Sequence, residues 1–506
     1  MPPLTRSTKL GLAGAGIGLA VLAGCSQGPD AADGDPDEGP GEAAESPLGP
    51  CSPGDAPEGA LCATVEVPED RGNPDGRRVG LQVVVLAAEE ANPEPDPIFF
   101  LAGGPGQAAT DLAPLLGAAL PELRRRRDFV FVDQRGTGGS NRLHCDFLDE
   151  PLSPSDSVPE DVTEADWRGC LEELDASPEH YATPDAMDDL EEVRVALGYG
   201  PINLWGGSYG TRAAAVFLRR HPESVRSAIL DGVAPVDMGI PVSFPEDAQR
   251  ALTLMIEACE ADADCRTRFP DLGESVAELL RRMDEDPPRR VSVRHPRTGD
   301  WEEIPLPRSG VAAVLRAVLY SPQLASLAPL MIESALDGDF GPLVTVADPV
   351  TGPGLAIGMF LSVLCAEDIP FVNAGDAARA AEETVFDAVM FEQMVEACSV
   401  WPRAELPPGY REPVASEAPV LILSGELDPV TPPRWGEHAA ATLPNARHFV
   451  VPGAAHGTLS FGCVPELIGA FIDAGDASGL DAECLDAIRR PPFWLTGTGP
   501  DAESGS

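Results

Sequence analysis

Five residues, Gly206-Gly207-Ser208-Tyr209-Gly210, constrain this chain more than any other stretch because of what flanks them. Residues 202–205, Ile-Asn-Leu-Trp, read as a strand, and residues 211–220 read as a helix. A serine on so sharp a turn needs small neighbours on both sides to avoid backbone collision. The helix that follows leaves its first N–H groups unpaired and points its positive end at the serine, so a negative charge growing there is stabilised. Elsewhere these residues would be an ordinary glycine-rich turn. Between a strand and a helix they make Ser208 a candidate nucleophile.

The surrounding pattern supplies the scaffold. Residues 62–67 and 79–87 are β-rich and flank Asn73-Pro74-Asp75-Gly76, which has the composition of a turn, so they read as an antiparallel hairpin at a sheet edge. Apolar runs at 98–101, 129–132, 202–205, 225–230, 419–424 and 447–451 then alternate with helical patterns. Continuous apolar strands separated by helices predict a mostly parallel sheet covered on both faces. The helix ahead of residue 202 has Thr183 as its expected N-cap, Pro184 in its first turn and Met187, Leu190, Val193 and Leu197 on one face. From 235 to 410 strand signals fade, and amphipathic stretches at 248–259, 311–320 and 377–397 dominate. This predicts a helical lid inserted into a core made of residues 51–234 and 411–495, placed over the C-terminal edge of the sheet where such folds bind ligands.

A serine hydroxyl needs a base within hydrogen-bond reach. Of the seven histidines, His456 follows the last expected strand in the loop Pro452-Gly453-Ala454-Ala455-His456-Gly457, where it can face the serine. His448 falls inside that strand and reads as structural, and the other five have surface-like or cap-like contexts. The acid that orients the base should lie between serine and histidine in the chain. Asp428, in Gly425-Glu426-Leu427-Asp428-Pro429-Val430-Thr431-Pro432, directly follows the strand at 419–424. Asp231, at the end of the preceding strand, is its rival, and Glu426 a weaker one. After the first parallel strand, Ala102-Gly103-Gly104-Pro105-Gly106 lets backbone amides approach a substrate with no side chain in the way. The N–H groups of Gly104 and Tyr209 are the expected oxyanion donors, with Gly103 as the alternative to Gly104.

The chain has 82 acidic and 35 basic residues, a formal charge of −47 that repels nucleic acid and anionic surfaces. A nucleic-acid partner is excluded on this ground. Residues 1–24 combine Arg6 and Lys9 with an apolar run of signal-peptide length, ending at Leu22-Ala23-Gly24-Cys25. That ending resembles the lipobox of bacterial lipoproteins, which makes Cys25 a lipidation site and implies export to a lipid-anchored position at the cell envelope. Residues 25–50 form an expected acidic, disordered tether: Ser26 onward holds seven acidic residues, five Pro, five Gly and no Lys or Arg. A disordered tail is expected at 496–506. Setting Cys25 aside, ten of the eleven cysteines remain, an even number suited to an oxidising compartment. Sequential pairing is the simplest arrangement: Cys51–Cys62, Cys145–Cys170, Cys259–Cys265, Cys365–Cys398 and Cys463–Cys484. No C-x-x-C pair occurs and His is scarce, so neither a metal nor another cofactor is expected.

Taken with Gly103-Gly104-Pro105-Gly106, Asp133-Gln134-Arg135-Gly136-Thr137-Gly138-Gly139-Ser140, Asp428-Pro429-Val430-Thr431-Pro432 and His456-Gly457, the elbow makes the chain resemble the proline iminopeptidase and tripeptidyl aminopeptidase group of α/β-hydrolases. The likeness spans roughly residues 60 to 495. Where iminopeptidases of the group usually carry His before the Gly-Gly-Pro-Gly run, this chain has Ala102, so the secreted tripeptidyl-aminopeptidase-like branch is the nearer likeness. The resemblance implies an α/β-hydrolase fold and release of short peptides from a free N-terminus through an acyl-enzyme on Ser208, His456 and Asp428. It also implies a structural role for the Asp133 to Gly136 run, with Arg135 bracing the oxyanion loop, although a satisfied turn under the active site is the preferred reading of that run. It further implies that a carboxylate holds the substrate ammonium. Glu367 and Asp368, closing an apolar lid helix beside Cys365, are the candidates for that anchor, with a solvated helix end as the plainer and favoured reading of the pair. A carboxylesterase of the same fold and a catalytically silent peptide-binding lipoprotein are the competing readings.

Overall fold

The computed structural model describes residues 47–52, 56–145, 147, 162–284, 289–294, 299–347, 354–386 and 388–500. The expected signal segment, Cys25, residues 25–46 of the expected tether and residues 501–506 of the expected tail lie outside the described residues.

Among the described residues eleven strands occur: β1 Gly49–Pro50, β2 Leu61–Pro68, β3 Arg78–Leu86, β4 Ile98–Leu101, β5 Phe129–Val132, β6 Ile202–Gly207, β7 Val225–Asp231, β8 Arg290–Arg294, β9 Trp301–Pro305, β10 Val420–Gly425 and β11 Ala446–Val451. Nine form one sheet in the order β1-β2-β3-β5-β4-β6-β7-β10-β11. The pairs from β5 to β11 are parallel, and β1, β2 and β3 run antiparallel at one edge. Burial explains the sequence pattern. Every residue of β4, β5 and β10 is buried, because helices cover both faces, so these strands read as unbroken apolar runs.

β4 lies between β5 and β6, so the chain leaves β4 to one side and returns to the other. At such a switch point the loops leaving the two strands part and open a crevice at their C-terminal ends. The loop after β4 carries Gly103 to Gly106, and the turn after β6 carries Ser208.

The segment between β7 and β10 has its own apolar core, including Leu252, Met255, Leu279, Val311, Leu315 and Ile332. It departs from the sequence reading in two ways. It is not wholly helical, because β8 and β9 form a separate antiparallel hairpin whose Val291, Val293 and Ile304 fill that core. The stretch expected at 377–397 is broken into two helices, Ala374–Glu383 and Val389–Val400.

Other boundaries differ too. Gly49 and Pro50, assigned to the tether, pair with Cys62 and Leu61. In the expected tail, Thr496 and Gly499 form an antiparallel bridge beside buried Leu495. Ala182, not Thr183, occupies the N-cap position of the helix Thr183–Ala196, with no side-chain cap. Thr183 is already the first helical residue, and its hydroxyl meets that of Tyr209 at 2.7 Å. Disulfides join Cys51–Cys62, Cys145–Cys170, Cys259–Cys265, Cys365–Cys398 and Cys463–Cys484.

Candidate active site

Ser208 has φ of 55°, in the region that side chains avoid, so the turn holds it in a strained conformation. Two of its glycines make the turn possible. A Cβ on Gly206 would lie 2.2 Å from the Gly210 carbonyl oxygen, and one on Gly210 would lie 2.1 Å from that of Leu101 in β4. Gly207, directly before the serine, has open space around it, so the steric demand falls two residues away on each side of Ser208. The Ser208 N–H donates to the Asp231 carbonyl at 2.9 Å, which ties the turn to the end of β7. Tyr209 then opens the helix Tyr209–Arg220, and its N–H, at the first helical position, has no intrahelical partner.

The loop after β4 closes over the serine. A Cβ on Gly103 would lie 3.1 Å from the Ser208 Cβ and 3.6 Å from its Oγ, so Gly103 is the loop residue found against the nucleophile. Gly104 and Gly106 have φ of 107° and 106°, and a Cβ on Gly106 would meet the Ala356 carbonyl oxygen at 2.7 Å. The Ala356 N–H donates to the Gly106 carbonyl at 2.9 Å, so a segment of the insertion packs on this loop.

Arg135 does not brace that loop. It is fully buried and forks onto Asp189 with two bonds of 2.6 Å, and it also donates to the carbonyls of Pro68, Glu69 and His180. It therefore fastens the β2–β3 turn to the helix Thr183–Ala196. Asp133 does the nearer bracing: its carboxylate accepts from the Thr110 N–H, the Thr110 hydroxyl and the Gly139 N–H. Burial pushes Asp133 above the usual carboxylate range against these bonds.

His456 and Asp428 meet across the ends of β11 and β10. Asp428 is fully buried, and its Oδ2 lies 2.8 Å from the His456 Nδ1. Oδ1 accepts from the N–H groups of Val430 and Thr431 at 2.9 and 2.8 Å, and the Thr431 hydroxyl donates to Oδ2 at 2.8 Å. Burial pushes the Asp428 carboxyl up, but the imidazole and the backbone donors outweigh it and hold it below the usual range. Burial pushes His456 down, yet Asp428 and the nearby charge of Asp231 leave it above its usual value. A neutral imidazole with its proton fixed on Nδ1 presents a basic Nε2. The position of a Cβ on Gly232, one residue after β7, lies 3.5 Å from the His456 Cε1, so the imidazole stands beside the strand end that holds Ser208.

The rival acids are bonded to other partners. The Asp231 carboxylate accepts from the Thr458 N–H at 3.0 and 3.2 Å, and burial pushes it up to about 6. Glu426 accepts from the Gly453 N–H at 2.8 Å. His448 bonds the Ser424 hydroxyl at 2.9 Å across β10 and β11.

Glu367 and Asp368 require a correction, because both are fully buried and neither is presented to a substrate. Asp368 forks onto Arg212 at 2.8 and 3.1 Å, and Arg212 is itself fully buried in the helix behind Ser208. Glu367 accepts from the Thr183 N–H at 2.7 Å and from the Tyr410 hydroxyl. Removing two carboxylates from water is tolerable only with such partners, so their bonds are already committed. They lock the insertion beneath the elbow.

Two residues at the site escaped the sequence reading. Thr431 touches both Asp428 and, at 3.1 Å, the His456 Nδ1; its place three residues after Asp428 was the available signal. Tyr320, from the insertion, sets its ring edge-on to the imidazole at 5.1 Å and accepts the His456 N–H on its carbonyl at 3.3 Å. No local pattern marks a contact spanning so much chain. Among the described residues no group of three or more His, Cys, Asp or Glu is placed to hold a metal ion.

Known proteins with similar sequences carry the same theme. Serine protease Hip1 of Mycobacterium tuberculosis is 25% identical over 474 residues, covering 85% of this chain and 88% of that protein. Tripeptidyl aminopeptidase of Streptomyces lividans is 29% identical over 192 residues, 35% of this chain and 36% of the relative. Proline iminopeptidase of Neisseria gonorrhoeae is 30% identical over 145 residues, 29% of this chain and 35% of the relative. The model of the α/β hydrolase fold matches residues 96–462, from just before β4 to just beyond His456. A parallel sheet with its switch point at β4, a strained serine on the turn after β6 and this match together place the chain in the α/β hydrolase fold family.

Proposed function

We propose that this protein is a serine aminopeptidase that releases short peptides, tripeptides in particular, from free N-termini. The observation that carries the reading is the hydrogen bond from His456 to buried Asp428 beside a strained serine elbow. Relatives named as a serine protease, a tripeptidyl aminopeptidase and a proline iminopeptidase support a serine peptidase.

In this reading the His456 Nε2 takes the Ser208 proton as Oγ attacks the scissile carbonyl. The oxyanion is held by the N–H of Tyr209 and one from Gly104 or Gly103, and Asp428 stabilises the imidazolium. His456 then gives its proton to the leaving amine as the C–N bond breaks. The same imidazole then takes a proton from water as its oxygen attacks the acyl-enzyme, and the imidazolium gives that proton to the Ser208 Oγ as the ester bond breaks. The signal-like segment, Cys25 and the disulfides support an exported, lipid-anchored enzyme in an oxidising compartment.

The test is kcat/KM on tripeptidyl amides with free and N-acetylated termini, with a simple ester alongside. A preference of at least about a hundredfold for the free amine is expected, since a buried ammonium must be paired. Equal rates on both refute the aminopeptidase, and turnover of the ester alone favours a carboxylesterase. Intact mass of the membrane-extracted protein checks the anchor, and a mature chain lacking a lipidated Cys25 refutes it.

A further inference from the structure

The insertion holds a partly open cavity that is linked to the site through Tyr320, a neighbour of both Arg316 in its wall and His456. It forms where the chain after β7 meets the helices Arg308–Val318 and Val389–Val400, and its walls include Val242, Phe244, Ala313, Phe386 and Met390. Arg316 enters these apolar walls half-buried. Its guanidinium lies 3.5 Å from the Tyr320 hydroxyl, 4.0 Å from the Met390 sulfur and 5.7 Å from the centre of the Phe244 ring. Among the described residues no Asp or Glu oxygen comes within 4.0 Å of it. Several other arginines lack a carboxylate too, but Arg219, Arg250 and Arg447 donate to main-chain carbonyls instead, and among the described residues the Arg316 guanidinium has no such bond.

Tyr320 connects this cation to the chemistry. Its hydroxyl faces Arg316, while its ring and carbonyl contact His456. A half-buried guanidinium in an apolar wall can still meet an anion from solvent, and its fork matches a carboxylate.

We propose that this cavity is a substrate pocket and that Arg316 is its specificity residue, binding a carboxylate on the peptide. The inference rests on the peptidase reading and narrows its substrates to peptides bearing an acidic side chain or a free C-terminal carboxylate near the scissile bond. The apolar walls take the aliphatic part of that residue, and the fork takes its end. The site thereby attracts an anion locally although the protein as a whole repels one.

The experiment uses the full chain and matched substrates: peptide amides with Glu against Gln at each position, and peptides with a C-terminal acid against its amide. The acyl-side pairs are also made as esters. Wild type is expected to favour the carboxylate by about ten- to a hundredfold in kcat/KM in at least one pair, the worth of a charge-assisted hydrogen bond. The responding pair identifies whether the side chain or the C-terminus is read. Arg316→Gln should bring that ratio to about one, Arg316→Lys should keep part of it, and Arg316→Glu should invert it toward a Lys-containing substrate. A ratio within one variant is unaffected by loss of folded protein. Wild-type ratios within about threefold of one in every pair, or a preference that survives in Arg316→Gln, overturn the proposal. Turnover of esters but not amides refutes the peptidase reading alone, because the ester pairs still read Arg316. If nothing turns over, calorimetric binding of the same peptide pairs to wild type and Arg316→Gln gives the ratio directly.

Discussion

Replacing Asp428 with Asn tests the site at its most determined point. The carboxylate accepts four hydrogen bonds, from Val430 and Thr431 N–H on Oδ1 and from the Thr431 hydroxyl and His456 Nδ1 on Oδ2. An asparagine that keeps its oxygen on the two backbone donors must turn its NH2 toward His456. Nδ1 then becomes the acceptor, the imidazole proton moves to Nε2, and the base can no longer take the serine proton. A wrong tautomer of this kind costs about 10⁴ in turnover, or about 5.4 kcal/mol at 1.36 kcal/mol per tenfold. Asp231→Asn is the control, because an amide oxygen can still accept from the Thr458 N–H, so the geometry stays and only a charge near His456 is lost. The sign of its pH effect follows. The neutral imidazole is the active form, and Asp428 and Asp231 raise His456, so wild-type kcat/KM climbs with a midpoint above the usual histidine value of 6.5. Asp231, pushed up to about 6, titrates in the same region, so this limb belongs to the pair. Removing the Asp231 charge lowers the His456 pKa, moves the limb to lower pH and leaves a single ionisation, with the plateau rate within about tenfold. The assay is kcat/KM on a chromogenic peptide amide as a function of pH. A loss below about tenfold in Asp428→Asn, or an equal loss in Asp231→Asn, refutes the assignment.

Gly210→Ala should destabilise the fold by at least about 1 to 3 kcal/mol and displace Ser208, because its Cβ would meet the Leu101 carbonyl oxygen at 2.1 Å and backbone cannot step aside. Gly207→Ala should leave the melting temperature nearly unchanged, and a comparable drop in both variants contradicts the steric account. Asp368→Asn strips the charge facing fully buried Arg212 and should cost about 3 to 5 kcal/mol in urea unfolding; a shift below about 1 kcal/mol would show that the pair does not lock the insertion. Replacing Cys365 and Cys398 together by Ala opens a cross-link across a separation of 33 residues, worth about 3 to 4 kcal/mol by loop entropy, read as a lower melting temperature under non-reducing conditions.

Short-range chemistry accounts for what was legible in the sequence alone. β4 and β5 announce themselves because complete burial removes polar residues from both faces, β6 and β10 are nearly as apolar for the same reason, and a glycine-flanked serine between a strand and a helix has few other uses. Asp428 and His456 stand out because each directly follows a strand, and the strand direction brings both loops to one edge. The same local logic misplaced the steric demand of the elbow, which falls on Gly206 and Gly210 rather than on Gly207, because the colliding carbonyl at Gly210 belongs to β4.

Partners distant in the chain could not be read this way. Nothing around Cys365 distinguishes a carboxylate waiting for an ammonium from one already held by an arginine, and the arginine that decides it lies 156 residues earlier. Arg135, in a conspicuous motif, turned to Asp189 and three carbonyls because only the assembled core puts them around its fork. Tyr320 reaches His456 only because the insertion folds back over the sheet edge. Sequence by itself determined the core strands from β2 to β7 and β10 to β11, the turn and the residue types available for chemistry, since these follow from periodicity and backbone sterics within a few residues. Tertiary structure decided which charges are spent on each other and which are left for a substrate, since burial and pairing depend on groups that meet only when the chain is folded.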